Sequence, residues 1–215
     1  MDETQQSMQI NQSNNLNNSQ TSKISNKNED QICINEPKKV EVYLFYEVLC
    51  STCVLYIIDE LNKFHQKEDL MRITNLHMEA FGNGRVLTRD PPTFWCQHGE
   101  NECYGNMVEL CAVHHFPNSY WKFIMCQELA GKFGDDQVKK CASDAGLPVE
   151  EILECAKGEE GPLLHLQAAD LTPPEHTYVP WVTVNGVLQN GKTLVSMVCD
   201  AYEGEKPESC KSKDQ

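Results

Sequence analysis

The sequence predicts an α/β fold: a strand–helix–strand unit, a cysteine-rich helical insert, and a closing hairpin with a short helix. Three observations carry that prediction. An apolar run at 40–46 leads directly into Cys50-Ser51-Thr52-Cys53 and a helical pattern. Six cysteines fall between 96 and 155, among segments with helical spacing. Asn185-Gly186, a strong two-residue hairpin signal, joins two short β-type runs near the end.

The elements follow in order. Residues 1–37 are rich in Asn, Gln and Ser and nearly free of large apolar groups. Such a segment cannot bury enough surface to offset its ordering entropy, so it reads as a disordered tail. Its sequons, Asn11-Gln12-Ser13 and Asn17-Asn18-Ser19, arise easily by chance in that composition. The ordered domain is expected over 38–210, with the insert at about 96–170 and a short tail at 211–215.

Val40-Glu41-Val42-Tyr43-Leu44-Phe45-Tyr46 begins by alternating and then turns wholly apolar, as a strand does on entering a core covered on both faces. Beyond the cysteines, Val54, Ile57, Ile58, Leu61 and Phe64 recur at helical spacing, opposite Asp59, Glu60 and Lys63. Residues 73–81 read as a second strand, closed by Gly82-Asn83-Gly84. Strand, helix and strand in this order form a right-handed βαβ unit.

In the insert, helices are expected near 120–129, 136–145 and 148–156, punctuated by Gly146-Leu147-Pro148 and Gly158. Pro173-Pro174 breaks the chain. A proline-led strand covers 178–184, Val187-Leu188-Gln189 pairs back after the turn, and a helix spans about 193–202.

Composition narrows the function. The chain has 215 residues, a formal net charge of −14 and eleven cysteines. That charge argues against a nucleic-acid or anionic-membrane partner. It suits solubility, or work in an acidic compartment where carboxylates near their pKa repel less. No apolar run approaches the roughly 18 residues of a membrane span. So many cysteines point to an oxidising compartment or to metal. An odd number leaves one thiol over, which gives room for a disulfide-linked dimer. Met1-Asp2-Glu3-Thr4 has neither the basic nor the apolar region of a signal peptide. This conflicts with the cysteine count unless the start is missing, the signal is replaced, or the thiols stay reduced.

Cys50 and Cys53 carry the chemistry. Two residues between cysteines at a helix start place the sulfurs within disulfide reach. The first sulfur faces unsatisfied N–H groups and the positive end of the helix dipole, which favour a thiolate. The thiolate is the nucleophile, and such sites depress a cysteine pKa well below its free value of about 8.5. The expected cycle is attack by Cys50 and resolution by Cys53. Half a zinc site and an inert bridge are the alternatives. Zinc needs a second ligand pair, and neither Cys96-x-His98 nor His114-His115 has a familiar spacing. Val179-Pro180 adds support. Thioredoxin-like folds hold a cis proline beside the dithiol, and the preceding residue pairs with extended substrate. The alternative is an ordinary trans proline opening an edge strand.

Cys96-Gln97-His98-Gly99, Glu102-Cys103, Asn106 and Cys111 fit the pattern C-Q-H-G-x2-E-C-x2-N-x4-C at every fixed position. In this the sequence resembles the gamma-interferon-inducible lysosomal thiol reductase family, over about 40–210. The resemblance implies a thioredoxin-like fold with a helical insert. It also implies reduction of disulfides in protein substrates at acidic pH, in a lysosomal or secretory setting. On that basis Cys50 attacks, Cys53 resolves, and the motif cysteines are structural, tying the insert to the core. Glu102 and Asn106 are expected to hold the loop, and His98 to pack, with proton donation by His98 as the alternative. Cys199 and Cys210 are expected to form a bridge, leaving Cys33 as the odd thiol. No bound cofactor or metal is expected, because a small thiol supplies the electrons.

Ser51-Thr52 departs from the small or proline-containing pairs of such reductases. The competing readings are therefore a disulfide oxidase or isomerase of the secretory pathway, and a non-catalytic peptide-binding module. Glu47 is expected to oppose the thiolate on Cys50. The six insert cysteines allow fifteen pairings.

Overall fold

The computed structural model describes residues 37–211. The tail at 1–36 lies outside the described residues, and with it both sequons and Cys33.

Strand β1 (Val40–Tyr46) buries Val42, Leu44, Phe45 and Tyr46, the apolar end of its sequence. The chain then turns at Leu49, whose φ of 66° lies in the left-handed region. The helix that follows is one rod with a change of pitch. It runs through α1 (Ser51–Leu55), a π-helical turn (Tyr56–Leu61) and α2 (Asn62–His65). Cys53, Ile57, Leu61 and Phe64 form its buried stripe. After a short helix α3 (Glu68–Arg72), strand β2 (Thr74–Ala80) pairs in parallel with the whole of β1.

A small antiparallel hairpin follows, β3 (Arg85–Arg89) and β4 (Pro92–Trp95). It was not expected from the sequence. The insert holds five helices: α4 (Glu100–His115), α5 (Trp121–Ala130), α6 (Asp135–Ala145), α7 (Val149–Lys157) and α8 (Glu160–Leu171). The sequence pattern predicted only α5, α6 and α7. Strands β5 (Trp181–Val184) and β6 (Val187–Leu188) form the closing hairpin, with Asn185 and Gly186 at φ 48° and 78°, the conformation that turn chemistry demands. Helix α9 (Leu194–Ala201) packs on β1 and β5.

The main sheet has the order β2-β1-β5-β6, with β5 antiparallel to β1. Phe45 stands opposite Trp181, so the end of β1 lies beside the start of β5. Topology alone therefore brings the Cys50 loop next to Pro180. Helix α4 is the hub of the insert, packing on α7, α8 and β2, while α5 packs on the π-helical turn and α6.

Four disulfides staple the described chain. Cys96–Cys103, Cys111–Cys155 and Cys126–Cys141 lie wholly within the insert, and Cys199–Cys210 fastens α9 to the last turn. This corrects one expectation, since among the described residues no bridge ties the insert to the sheet. That task falls to buried hydrogen bonds. Val48 N donates to Asn106 Oδ1 (3.0 Å), and Tyr46 Oη donates to Glu109 Oε2 (2.6 Å).

Candidate active site

Among the described residues, Cys50 and Cys53 are the free cysteines. Cys50 is the N-cap of α1, a role usually filled by an oxygen-bearing side chain. Its sulfur accepts from Cys53 N (3.3 Å) and lies 3.1 Å from Thr52 Oγ1. The Cys53 side chain also donates to it. Those bonds, led by the one from Cys53, outweigh burial and hold the Cys50 thiol down at about 5. Cys53 moves the opposite way. It is fully buried, its own proton is engaged by Cys50, and its thiol is pushed far above the ordinary range. One sulfur is thus poised as an anion and the other kept as a thiol.

The Val179–Pro180 peptide is cis and opens β5 beside this corner. Thr52 Oγ1 donates to Val179 O (3.2 Å), a direct bond from the dithiol turn to the proline loop. The structure therefore brings Cys50, Cys53, Val179 and Pro180 into one place.

The other flank carries an acidic cluster. Burial pushes the Glu47 carboxyl up to about 7, against the hydrogen bond it accepts from Asn83 N (2.7 Å). Glu102 and Cys50 add to the rise and His98 opposes it. Gly82 is required here, because a Cβ at that position would stand 2.3 Å from Glu47 Oε2. His98 Nδ1 lies 2.5 Å from Glu102 Oε2 and 3.8 Å from Glu47 Oε1, and His98 N also donates to Glu102 Oε2 (2.6 Å). Gln97 Oε1 accepts from Asn83 Nδ2 (2.9 Å), and Gly99, at φ 82°, is the N-cap of α4.

The sequence matches the family model described as gamma interferon inducible lysosomal thiol reductase over residues 41–145. A gamma-interferon-responsive lysosomal thiol protein of Arabidopsis thaliana is 36% identical over 195 residues, covering 85% of this chain and 80% of that protein. The gamma-interferon-inducible lysosomal thiol reductase of Mus musculus is 37% identical over 185 residues, covering 80% and 72%. The chain belongs to this thiol reductase family. The fold is thioredoxin-like. The reduced form of a disulfide bond oxidoreductase from Mycobacterium tuberculosis superposes with a TM-score of 0.56 at 16% identity, covering 80% of this chain and 82% of that one. As a member of the thiol reductase family with that fold, the chain is a thiol–disulfide oxidoreductase.

In this family member the signature residues form a frame around the dithiol. Cys96–Cys103 closes the turn into α4, Cys111–Cys155 pins α4 to α7, Asn106 fixes the backbone ahead of Cys50, and Glu102 clamps His98. Cys199 and Cys210 are bridged and stand apart from this frame.

Sequence reasoning missed a second acidic pair. Glu109 and Glu128 are buried on α4 and α5, with Tyr46 donating to Glu109. Burial raises Glu109 well above the carboxylate range and Glu128 to about 8. Glu128 lies four residues after Ile124, on the apolar face of α5, and Glu109 lies on the buried side of α4. In the sequence Thr52 stands out only as an unusual spacer between the two cysteines. Glu47 also refines an expectation. Its carboxyl and the Cys50 thiolate do repel each other, but with the carboxyl pushed up to about 7 it is mostly protonated near pH 5 and opposes the thiolate little there.

Among the described residues, two side-chain sets have metal-ligand spacing. In the set of Glu47, His98 and Glu102, His98 Nδ1 is engaged by Glu102 Oε2 at 2.5 Å and lies at ion-pair distance, 3.8 Å, from Glu47 Oε1, while Glu102 Oε1 has no hydrogen-bond partner among the described residues. In the set of His115, Glu160 and Cys155, the cysteine is consumed by its bridge to Cys111.

Proposed function

We propose that this chain reduces disulfide bonds in protein substrates by dithiol exchange in an acidic compartment, with Cys50 attacking and Cys53 resolving. The observation that carries the reading is the Cys50 sulfur at the helix N-cap, with its thiol held at about 5 beside the cis proline. Near pH 5 about half of Cys50 is thiolate, whereas a free cysteine is ionised well below one part in a thousand.

The thiolate attacks one substrate sulfur, forming a mixed disulfide and releasing the other sulfur as a thiol after protonation. Cys53 then gives up its proton and attacks Cys50. The bond between Cys50 and the substrate breaks, and the second substrate sulfur leaves with the electron pair. Two electrons pass to the substrate, and a small external thiol restores the dithiol.

The buried carboxyls Glu47, Glu109 and Glu128 support the acidic setting, because in acid they are neutral and need no counter-ion. The lysosomal setting rests on the names of the relatives. Reduction of insulin near pH 5 and near pH 7, with a small thiol as electron donor, tests the proposal. Substantial reduction near pH 5, where an ordinary thiol would be almost inert, is expected, and failure to reduce insulin at either pH would overturn it. A reduction potential near thioredoxin's value of about −270 mV is expected; one near about −120 mV would identify an oxidant instead.

A further inference from the structure

Thr52 Oγ1 has two neighbours that compete for a single proton. Cys50 Sγ lies at 3.1 Å and Val179 O at 3.2 Å. A hydroxyl carries one donor and two lone pairs, a carbonyl can only accept, and a sulfur donates as a thiol but only accepts as a thiolate. When Cys50 is a thiol, every group is satisfied in one chain: S–H donates to Oγ1, and O–H donates to Val179 O. When Cys50 is a thiolate, it must be the acceptor. The charge-assisted bond is the stronger one, so the hydroxyl proton turns to sulfur and Val179 O is left unpaired.

We propose that the Thr52 hydroxyl is a one-proton switch that opens the Val179 carbonyl to an extended substrate peptide only when Cys50 is ionised. The inference rests on the function proposed above and adds a positioning residue to it. Val179 precedes cis Pro180 at the start of β5, where an added peptide strand would pair through its backbone N–H. Nucleophile and docking acceptor therefore become available together. Reciprocity follows, because a peptide N–H on Val179 O sends the hydroxyl proton to Cys50 and favours the thiolate. After attack the sulfur is uncharged and the hydroxyl can return to the carbonyl; the product leaves once Cys53 has attacked Cys50 and broken the mixed disulfide. The other ionisable groups facing Cys50 are Cys53 on its own helix, Glu47 at the end of β1 and Glu128 on α5. None of them contacts Val179 O.

The test compares the full-length protein with Thr52→Val, which keeps the shape without the hydroxyl, and Thr52→Ser, which keeps the hydroxyl. The pH profile of Cys50 alkylation by iodoacetamide is the first readout. The midpoint should rise in Thr52→Val, slowing alkylation at acidic pH about fivefold, the equivalent of one hydrogen bond. Thr52→Ser should restore it. The second readout is KM for a peptide disulfide beside that for a small non-peptide disulfide. In the wild type the peptide KM should fall about fivefold as pH rises through the Cys50 titration. The small disulfide should show no such change, and in Thr52→Val the peptide KM should be flat. A Thr52→Val protein with the wild-type alkylation midpoint, or with the wild-type pH dependence of the peptide KM, would overturn the switch. So would failure of Thr52→Ser to restore either. Alkylation needs no turnover, so it decides this inference even if the protein reduces nothing. Loss of turnover with an intact alkylation profile would count against the proposed function instead.

Discussion

The dithiol corner and the helical insert use the same residue for opposite ends. In the insert, six cysteines project from or beside helices and pair into three bridges, with sequence separations of 7, 44 and 15. At the corner, two cysteines three residues apart are free, one sulfur serving as a helix cap and the other donating to it. Local surroundings, and not cysteine content, decide which sulfur is structural and which is reactive.

The sharpest way to break this contrast is to remove the reactive sulfurs. Cys50→Ser should abolish insulin reduction while leaving the fold intact by circular dichroism. Cys53→Ser should accumulate a mixed disulfide with substrate, visible by mass spectrometry. Retained turnover in Cys50→Ser would show that the nucleophile lies elsewhere.

The converse change removes a staple. Replacing both Cys111 and Cys155 with Ala deletes the bridge that closes the longest loop, with a sequence separation of 44. A loss of about 2–5 kcal/mol in unfolding free energy is expected by denaturant titration. The midpoint of Cys50 alkylation should stay in place. A shifted midpoint would mean that the insert sets the reactivity of the corner.

The buried acids give a pH signature in the oxidised protein, where Cys50 does not titrate. Glu47 and Glu128 have folded pKa values above the unfolded one, at about 7 and about 8, and Glu109 is raised as well. The folded state therefore binds more protons. Stability is fully present below about 4.5 and is lost as pH rises toward 8, by about 2 kcal/mol or more. Oxidation removes the repulsion from Cys50, but burial, the largest cause for each carboxyl, remains. In the reduced protein Cys50 works the other way. Its depressed pKa contributes stability above the unfolded thiol value, and this is lost as pH falls through about 5. Denaturation midpoints near pH 5 and near pH 8 in both redox states check the two signs. Oxidised protein no less stable at the higher pH would contradict the account of the acids.

A smaller effect is expected at the seam between the regions. Asn106→Ala leaves the buried Val48 N without its acceptor and should cost about 1–3 kcal/mol. It should also slow turnover, since Val48 lies two residues before Cys50.

The corner was the more legible of the two regions. The apolar strand, the cysteine spacing, the helical stripe, Val179-Pro180 and Asn185-Gly186 are local patterns, and each corresponds to an element of the structure. The insert resisted reading for a physical reason. Helix α4 buries Glu102, Asn106 and Glu109 along with Val108, Leu110 and Cys111, so its inward face is as polar as its outward face and leaves no periodic signal. Helix α8 carries Gly161-Pro162 in its first turn and keeps Leu163 and Leu171 exposed, which blurs its stripe. Strand β3 has little buried surface to mark it. The pairing of Glu109 with Tyr46, and of Cys111 with Cys155, joins residues far apart in sequence, which local patterns do not report. The family signature marked which residues matter around the site without showing what they touch.

The most direct measurement is the rate of alkylation of Cys50 in the reduced wild-type protein, followed by mass spectrometry from acid to alkaline pH. The account predicts a single titration centred at about 5, with Cys53 unreactive throughout. A midpoint at the ordinary thiol value of about 8.5, or equal labelling of both cysteines, would contradict it.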